Sequence, residues 1–183
     1  VFSMHATKLF NSFEGGLVTT NDDELAERLK AIRNFGITGQ DTVSTWGSNY
    51  KLSEVHACFA LRQLSKIEEV IDVYRENAKT YTSELNKAGL HGLRNWNATF
   101  LEHEGCTHSY ICLEVTQEFP VQRDAVMNFL RTKNIYGKRY FYPGLQHCQP
   151  YASDFQPALP VTEKLCQQVL VLPTGTQVTK LDI

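Results

Sequence analysis

The sequence lacks any long apolar run, any internal repeat and any low-complexity tract. No apolar stretch reaches the roughly 18 residues that a membrane-spanning helix needs, so we expect no membrane partner. A basic segment followed by an apolar one, the mark of a signal peptide, is also missing. The formal net charge is only -2. A charge this small provides no electrostatic attraction for nucleic acid, so we expect none as a partner.

The cysteines form no recognisable framework. They number five, their spacing is irregular, and no C-x-x-C pair occurs. An odd and irregular set argues against both a disulfide scaffold and a zinc site. No two histidines have the spacing of metal ligands either. We therefore predict no metal, reduced thiols and a cytoplasmic protein.

The first part of the chain contains signals for one short strand and one helix. GGLVTT (15–20) is typical of a turn that leads into a strand. Asn21 is predicted as the helix N-cap, with Glu24 as its capping-box partner, and Gly36 as the end of the helix. Residues 36–50 are rich in Gly, Ser, Thr and Asp, which predicts a long loop.

The rest of the chain begins with one long helix, predicted from Ser53 to near Gly89 by its continuous apolar stripe. A strand is predicted at 108–115, a helix at 121–134, a second strand at 135–143, and a helix followed by a strand at 159–173. This order predicts a small α+β layer that follows the end of a larger α/β unit.

Lys8 has an unusual setting, because it ends the run S-M-H-A-T-K and precedes a Glu-Gly-Gly turn. A lysine amine that can lose its proton reacts with carbonyl groups. In a pyridoxal phosphate site the lysine lies near a phosphate pocket made of short hydroxyl side chains and backbone N–H groups. Ser3, Thr7 and Gly15–Gly16 supply those residue types. By composition alone, a surface lysine on a strand-to-turn segment is the simpler interpretation.

The stretch FSMHATKLFNSFEGGLVTTND resembles the S-F-H-x-T-K…G-E-G-G…T-N-D segment of the DegT/DnrJ/EryC1/StrS family of sugar aminotransferases. Further on, GSNYKLSEVHACFALRQL, KRYFYPGLQHCQPY and LPVTEKLCQQVLVLP resemble family segments in the same order. The resemblance covers essentially the whole chain. It implies fold type I, like aspartate aminotransferase, with the end of the large domain at 1–52, a connecting helix at 53–89 and a small α+β domain at 90–183.

The resemblance also implies a cofactor and roles for individual residues. Lys8 would carry pyridoxal phosphate as the catalytic residue, and Ser3 would help to hold the cofactor phosphate. Asn49 matches a loop that reaches the neighbouring subunit's cofactor in family homodimers, although a turn-forming asparagine is the alternative. Met4 replaces the usual Phe. Lys51 replaces a frequent Arg, which keeps the charge but loses the fork geometry.

Arg139 precedes the aromatic run that ends at Tyr142. Arginine forks well onto phosphate, and the family's substrates carry a nucleotide diphosphate, so both residues are predicted to contact substrate. The alternative for Arg139 is a charge on an edge strand. His108 and His147 could also meet the substrate's phosphates, but isolated histidines need no such role.

We therefore expect an aminotransferase that acts on a nucleotide-linked sugar, a 4-keto-6-deoxyhexose, with L-glutamate as donor. Family dehydratases have histidine in place of the lysine, so Lys8 favours the aminotransferase branch. A non-catalytic homologue is the third possibility, and the presence of Ser3, Lys8 and Asn49 together argues against it. The family's N-terminal half has no counterpart here, so we expect a fragment that is inactive alone.

Overall fold

The computed structural model describes residues 1–154 and 158–183, in two compact units, Val1–Ile67 and Glu68–Ile183. In the first unit, β1 pairs antiparallel with β2, and β3 pairs antiparallel with β4. The elements of this unit are β1 (Phe2–Ser3), β2 (Gly16–Leu17), α1 (Asp23–Arg33), β3 (Ile37–Gly39), β4 (Thr42–Val43) and α2 (Glu54–Leu64).

The second unit is built on an antiparallel sheet in the order β5-β6-β7. Helix α3 begins at the boundary between the units. The elements are α3 (Ile67–Ala88), β5 (Leu93–Asn95), α4 (Trp96–Thr99), β6 (Ile111–Val115), α5 (Arg123–Thr132), a 3-10 turn (Leu145–His147), α6 (Tyr151–Asp154), α7 (Pro160–Gln168) and β7 (Val169–Leu172).

The core of the second unit forms around strand β6. Leu113 packs with Met127 of α5 and Leu170 of β7, while Ile111 packs with Ala78 and Tyr81 of α3. Each fully buried large apolar side chain contributes about 1.5–3 kcal/mol, so these contacts fasten both helices to the sheet. The α+β layer that the sequence predicts is therefore confirmed.

The start of α1 differs from the prediction by one residue. Asp22, and not Asn21, is the N-cap, and its carboxylate accepts a hydrogen bond from Leu25 N at 3.0 Å. The capping box between Asn21 and Glu24 was therefore wrong. The N–H of Asp22 in turn donates to Thr20 Oγ1 at 3.1 Å, which holds the capping residue in place.

The predicted long helix is interrupted at Ser65 and Lys66. In a continuous helix, Lys66 N would donate to Arg62 O. Instead the Ser65 hydroxyl donates to Arg62 O at 2.9 Å, and Lys66 N donates to Gln63 O at 3.0 Å. A serine hydroxyl that competes for a backbone carbonyl ends the regular ladder, so α2 and α3 are separate helices. The predicted start after Ser53 is confirmed.

The predictions for the loops and later strands had mixed outcomes. The helix and strand within 159–173 are confirmed as α7 and β7, and 108–115 contains β6. The segment 36–50 contains the β3–β4 hairpin, which a loop prediction does not include. The strand at 135–143 was wrong, since only Lys138 pairs with β7 in a single bridge. Pro143 has no N–H for a ladder, and the preceding aromatic residues line a cavity instead.

His108 is buried and takes no part in a substrate-accessible surface, being only 3% exposed. Asn97 Oδ1 accepts from Cys112 N at 2.8 Å, so the Asn97 amide N–H groups must face Tyr110 O and His108 Nδ1. Nδ1 is therefore an acceptor and carries no proton. Within the described residues the buried Nε2 has no partner.

We expect this histidine to make stability fall in mild acid. Burial, with the nearby Arg75 charge as the second cause, lowers the pKa of His108 below its ordinary 6.5. The unfolded chain therefore binds a proton that the folded chain excludes, and stability decreases as pH falls below about 6.5. Urea unfolding of His108→Asn between pH 8 and 5 should lose this pH dependence. His91→Gln, at a side chain that is 83% exposed, should retain it, and equal slopes in both variants would contradict the assignment.

Candidate functional site

The segment that carries Lys8 is a loop closed at its base by backbone hydrogen bonds. Met4 N donates to Gly15 O and Ser12 N donates to Met4 O, each at 2.9 Å. Met4 and Ser12 are buried, at 3% and 0% exposure. Gly15 has φ +135°, and a Cβ there would lie 2.8 Å from Leu52 Cδ1. These contacts fix the base of the loop, while residues 5–8 in the loop are exposed to solvent.

Lys8 lies in a turn within this loop. Its backbone N–H donates to His5 O at 2.9 Å, and its carbonyl accepts from Asn11 Nδ2 at 3.0 Å. The residue is exposed. Its amine forms no hydrogen bond or ion pair with any residue that the structure describes. The backbone is thus held on both sides while the amine stays available for reaction.

The side chains around Lys8 are polar and connected. Ser3 Oγ accepts from His5 N at 3.4 Å. His5 Nδ1 accepts from Thr7 N at 3.2 Å, so the proton of the neutral ring is on Nε2, which faces Glu14 Oε1 at 3.6 Å. Ser3, at the end of β1, and Thr7, in the loop, therefore each place a hydroxyl group in contact with His5.

Asn49 is held by its backbone against the end of α1. It forms an antiparallel bridge with Asn34, while Tyr50 N donates to Arg33 O at 3.0 Å. Its side chain is exposed, and in residues 1–154 and 158–183 it has no hydrogen bond to Ser3 or Lys8. The cofactor role of Asn49 therefore stays a prediction that depends on a second subunit.

Lys51, at the position where the resemblance leads us to expect arginine, packs on an aromatic ring. Its Nζ lies 4.2 Å from the centroid of Phe35 and 3.5 Å from Asn34 Oδ1. Both partners follow α1 directly, so the lysine fastens its own loop to the end of that helix. A cation that packs on an aromatic ring does not need the forked guanidinium of arginine, so lysine can make this contact.

The two predicted substrate residues, Arg139 and Tyr142, belong to one cluster of the second unit. The guanidinium of Arg139 lies 4.6 Å from the Tyr142 ring centroid, and that of Arg123 lies 5.1 Å from it. Asp124 accepts from Arg123 Nε at 2.6 Å and pairs with Arg139 at 3.5 Å. Their contact with substrate stays a prediction.

A cavity of about 750 Å³ adjoins this cluster in the second unit. Its lining is largely aromatic and apolar, with two thiols. Burial raises the pKa of the Cys166 thiol, which keeps that wall uncharged. The lining residues are Tyr140, Phe141, Tyr142, Pro143, Gly144, Leu145, Gln146, Cys148, Thr162, Leu165, Cys166 and Val169.

His147 does not present a free imidazole to a phosphate. Its Nε2 lies 2.8 and 2.9 Å from the two carboxylate oxygens of Glu163, and Gln146 Nε2 donates to the same carboxylate at 2.6 Å. These hydrogen bonds lower the pKa of Glu163, and the bond from Gln146 is the larger cause. The pair ties the 3-10 turn to α7.

The sequence interpretation did not include Arg123 and Asp124. Arg123 is 2% exposed and donates to Cys166 O at 3.0 Å and Val169 O at 2.8 Å. An Arg-Asp pair at a helix start usually faces water, so no local pattern indicates a buried guanidinium. The one sequence feature that could have pointed to this cluster was Arg139, a cation placed directly before the aromatic run.

No group of three or more His, Cys, Asp and Glu residues in the described ranges could hold a metal ion. No helix in those ranges is both long enough and apolar enough to cross a membrane.

Solved structures with a similar fold match nearly all of this chain. DesI, determined in the presence of its TDP-sugar product, is 37% identical with a TM-score of 0.85, covering 99% of this chain and 45% of that chain. Helicobacter pylori PseC, an aminotransferase of pseudoaminic acid biosynthesis, has a TM-score of 0.87 over 99% of this chain and 49% of that one. Its identity is 24%, which shows the fold alone. The fold is thus that of the pyridoxal-phosphate-dependent sugar aminotransferases.

The chain belongs to the DegT/DnrJ/EryC1/StrS aminotransferase family, whose model matches residues 1–183. It is 34% identical to the dTDP-4-amino-4,6-dideoxy-D-glucose transaminase of Shigella dysenteriae, over 82% of this chain and 40% of that protein. It is 30% identical to the GDP-perosamine synthase of Vibrio cholerae, over 78% of this chain and 38% of that protein. The chain spans about two-fifths of the length of these curated relatives.

The loop residues fit the cofactor that the family implies. A reactive amine must be free of ion pairs, and within the described residues the Lys8 amine is exposed and unpaired. A phosphate requires hydroxyl or N–H donors, and the Ser3 hydroxyl is exposed five residues before the lysine. The donor set therefore suits a phosphate-bearing aldehyde.

Proposed function

We propose that the full-length protein is a pyridoxal-phosphate-dependent aminotransferase that moves the amine of L-glutamate to a nucleotide-linked 4-keto-6-deoxyhexose. The observation that carries this proposal is the free amine of Lys8 on its closed loop. Two relatives support the substrate class. One is named a transaminase of a dTDP-linked dideoxy sugar, and DesI was determined with a TDP-sugar product.

The chain's own residues have distinct tasks in this proposal. Lys8 would hold the cofactor through Nζ, and its amine would move a proton to and from the substrate carbon. Ser3 binds the cofactor phosphate through its hydroxyl, and Asn49 does so across the subunit interface. When bound, pyridoxal phosphate supplies the electron sink for the carbon that loses its proton. Lysine at position 8 favours amine transfer over the dehydratase reaction.

The test is a pair of assays on the full-length protein loaded with pyridoxal phosphate. Glutamate alone should yield 2-oxoglutarate, and adding a dTDP-4-keto-6-deoxyhexose should yield the aminosugar nucleotide, identified by mass spectrometry. Loss of water from the sugar without amine transfer would establish the dehydratase reaction instead. Residues 1–183 alone should be inactive in both assays, because a cofactor held on the exposed Lys8 is open to hydrolysis by water.

We also propose that the protein is a homodimer, joined through the loop at 37–50 and helix α2. Apolar side chains are unusually exposed there, including Trp46 at 95% and Val55 at 74%. An apolar groove of about 540 Å³ is lined by Val55, Phe13 and Phe59. The ring centroids of Phe13 and Phe59 lie 4.2 Å apart. Exposed apolar surface of this kind is typical of a protein interface.

Val55→Asp should therefore weaken dimerisation of the full-length protein, because association would bury an unpaired carboxylate in the groove. Sedimentation velocity over a concentration series measures the effect. Val161→Asp is the matched control, since Val161 is also a helical valine and is 70% exposed in the other unit. A monomeric wild type, or a Val55→Asp protein that dimerises as tightly as the control, would contradict this interface.

A further inference from the structure

The ring of Tyr142 lies against two cations. Both guanidinium groups, of Arg123 and Arg139, are within about 5 Å of its centroid, at 5.1 and 4.6 Å. Two like charges beside one ring repel each other, and this repulsion would push the more mobile one away. Arg123 cannot move, because it is buried and donates to two carbonyls at the α7–β7 junction. Arg139 can move, because its side chain is 37% exposed.

Asp124 is placed to oppose that repulsion. One carboxylate oxygen, Oδ1, is fixed by the 2.6 Å bond from Arg123 Nε. The other, Oδ2, pairs with Arg139 Nη1 at 3.5 Å. An isolated ion pair at this exposure contributes little, about 0–1 kcal/mol. Here the carboxylate is anchored to an immobile guanidinium, so it defines where the second guanidinium lies.

We propose that Asp124 is a positioning residue for substrate, which holds Arg139 on the face of Tyr142 so that its remaining N–H groups receive the nucleotide's diphosphate. This inference rests on the proposed aminotransferase function. Arg139 uses only Nη1 in the pair with Asp124, and its planar group retains donors for a second anion. Asp124 itself touches no substrate and acts through Arg139.

The surrounding charges are compatible with this role. Lys138 Nζ lies 5.6 Å from the Tyr140 ring centroid and 3.4 Å from the Tyr140 hydroxyl, so its charge is directed to the neighbouring aromatic residue. The Glu163 carboxylate is occupied by Gln146 and His147. Asp124 is the carboxylate that pairs with Arg139 among the described residues.

The experiment uses Asp124→Asn in the full-length protein with cofactor bound. KM for the dTDP-keto-sugar should rise about tenfold, while kcat and the reaction with glutamate alone change little, because glutamate carries no diphosphate. The dissociation constant of thymidine diphosphate, measured by calorimetry, should weaken by the same factor without any turnover. Asp124→Glu should restore most of the binding, since it keeps the carboxylate.

Two controls separate positioning from stability. Asp72→Asn removes an exposed carboxylate of α3 that pairs with Arg75 at 3.8 Å, and it should leave KM unchanged. Adding Arg139→Lys to Asp124→Asn should weaken binding little further, because both changes act on one contact. An Asp124→Asn protein with a lower unfolding midpoint but unchanged thymidine diphosphate binding would overturn the proposal.

The outcomes for the two proposals are distinct. A wild type that forms no 2-oxoglutarate from glutamate refutes the aminotransferase function. If that protein binds thymidine diphosphate and Asp124→Asn weakens the binding tenfold, the positioning role still stands. Equal binding by wild type and variant overturns the positioning role even where turnover is normal.

Discussion

Replacing Lys8 with alanine should reduce turnover of the full-length protein by about 10²–10⁴-fold or more, because in the proposed mechanism one side chain would both hold the cofactor and move the proton. The side chains near Lys8 in the sequence, including Ser3, His5 and Thr7, contain no second amine. The measurement is the rate of 2-oxoglutarate formation from glutamate at saturating pyridoxal phosphate, with a dTDP-4-keto-6-deoxyhexose present to accept the amine.

Lys79→Ala is the matched control for this variant. Lys79 is an exposed lysine paired with Glu76 at 2.8 Å, and its removal should leave the rate unchanged. Borohydride reduction of the wild type followed by peptide mapping should place the cofactor on Lys8. A cofactor label on another lysine, or normal turnover in Lys8→Ala, would refute the assignment.

Replacing Arg123 with alanine should lower the free energy of unfolding by about 2–4 kcal/mol. Arg123 is 2% exposed and donates to Cys166 O and Val169 O, where α7 gives way to β7. Its removal leaves two carbonyls without a donor and a space beside Tyr142. Urea unfolding of the full-length protein, followed by circular dichroism, measures the loss.

The control for this change is Arg131→Ala on the same helix. Arg131 is exposed and its side chain forms no hydrogen bond or ion pair with the described residues. Its removal should alter stability by less than about 0.5 kcal/mol. If both variants lost the same stability, the buried hydrogen bonds of Arg123 would have no special weight.

Local patterns predicted those elements whose stabilising contacts are local. The Ser53 cap lies three residues from the N–H that it accepts, and the apolar run in LPVTEKLCQQVLVLP marks both α7 and β7. The break at Ser65 was not predictable from spacing, because the apolar stripe continues across it. It depends on which donor reaches Arg62 O, a choice between two hydrogen bonds of similar strength.

The aromatic segment shows the opposite limit. Tyr140 to Tyr142 have high strand propensity, yet their side chains line a cavity rather than extend a sheet. Arg123 reaches carbonyls 43 and 46 residues further along the chain, and no sequence spacing indicates such contacts. The proposed role of Lys8 comes only from the resemblance of the motif around it to a family, and it stays a prediction. The composition of the surrounding segment alone favoured an ordinary surface lysine.

The backbone bonds that close the Lys8 loop have an entropic consequence for cofactor capture. Ordering a free backbone costs about 1–2 kcal/mol per residue, and a lysine on a floppy loop would meet that cost at the moment of attachment. Here the bonds from Met4 to Gly15 and from Ser12 to Met4 already order the loop when the chain folds. If Lys8 holds the cofactor as proposed, only the lysine side chain would lose freedom when the cofactor attaches.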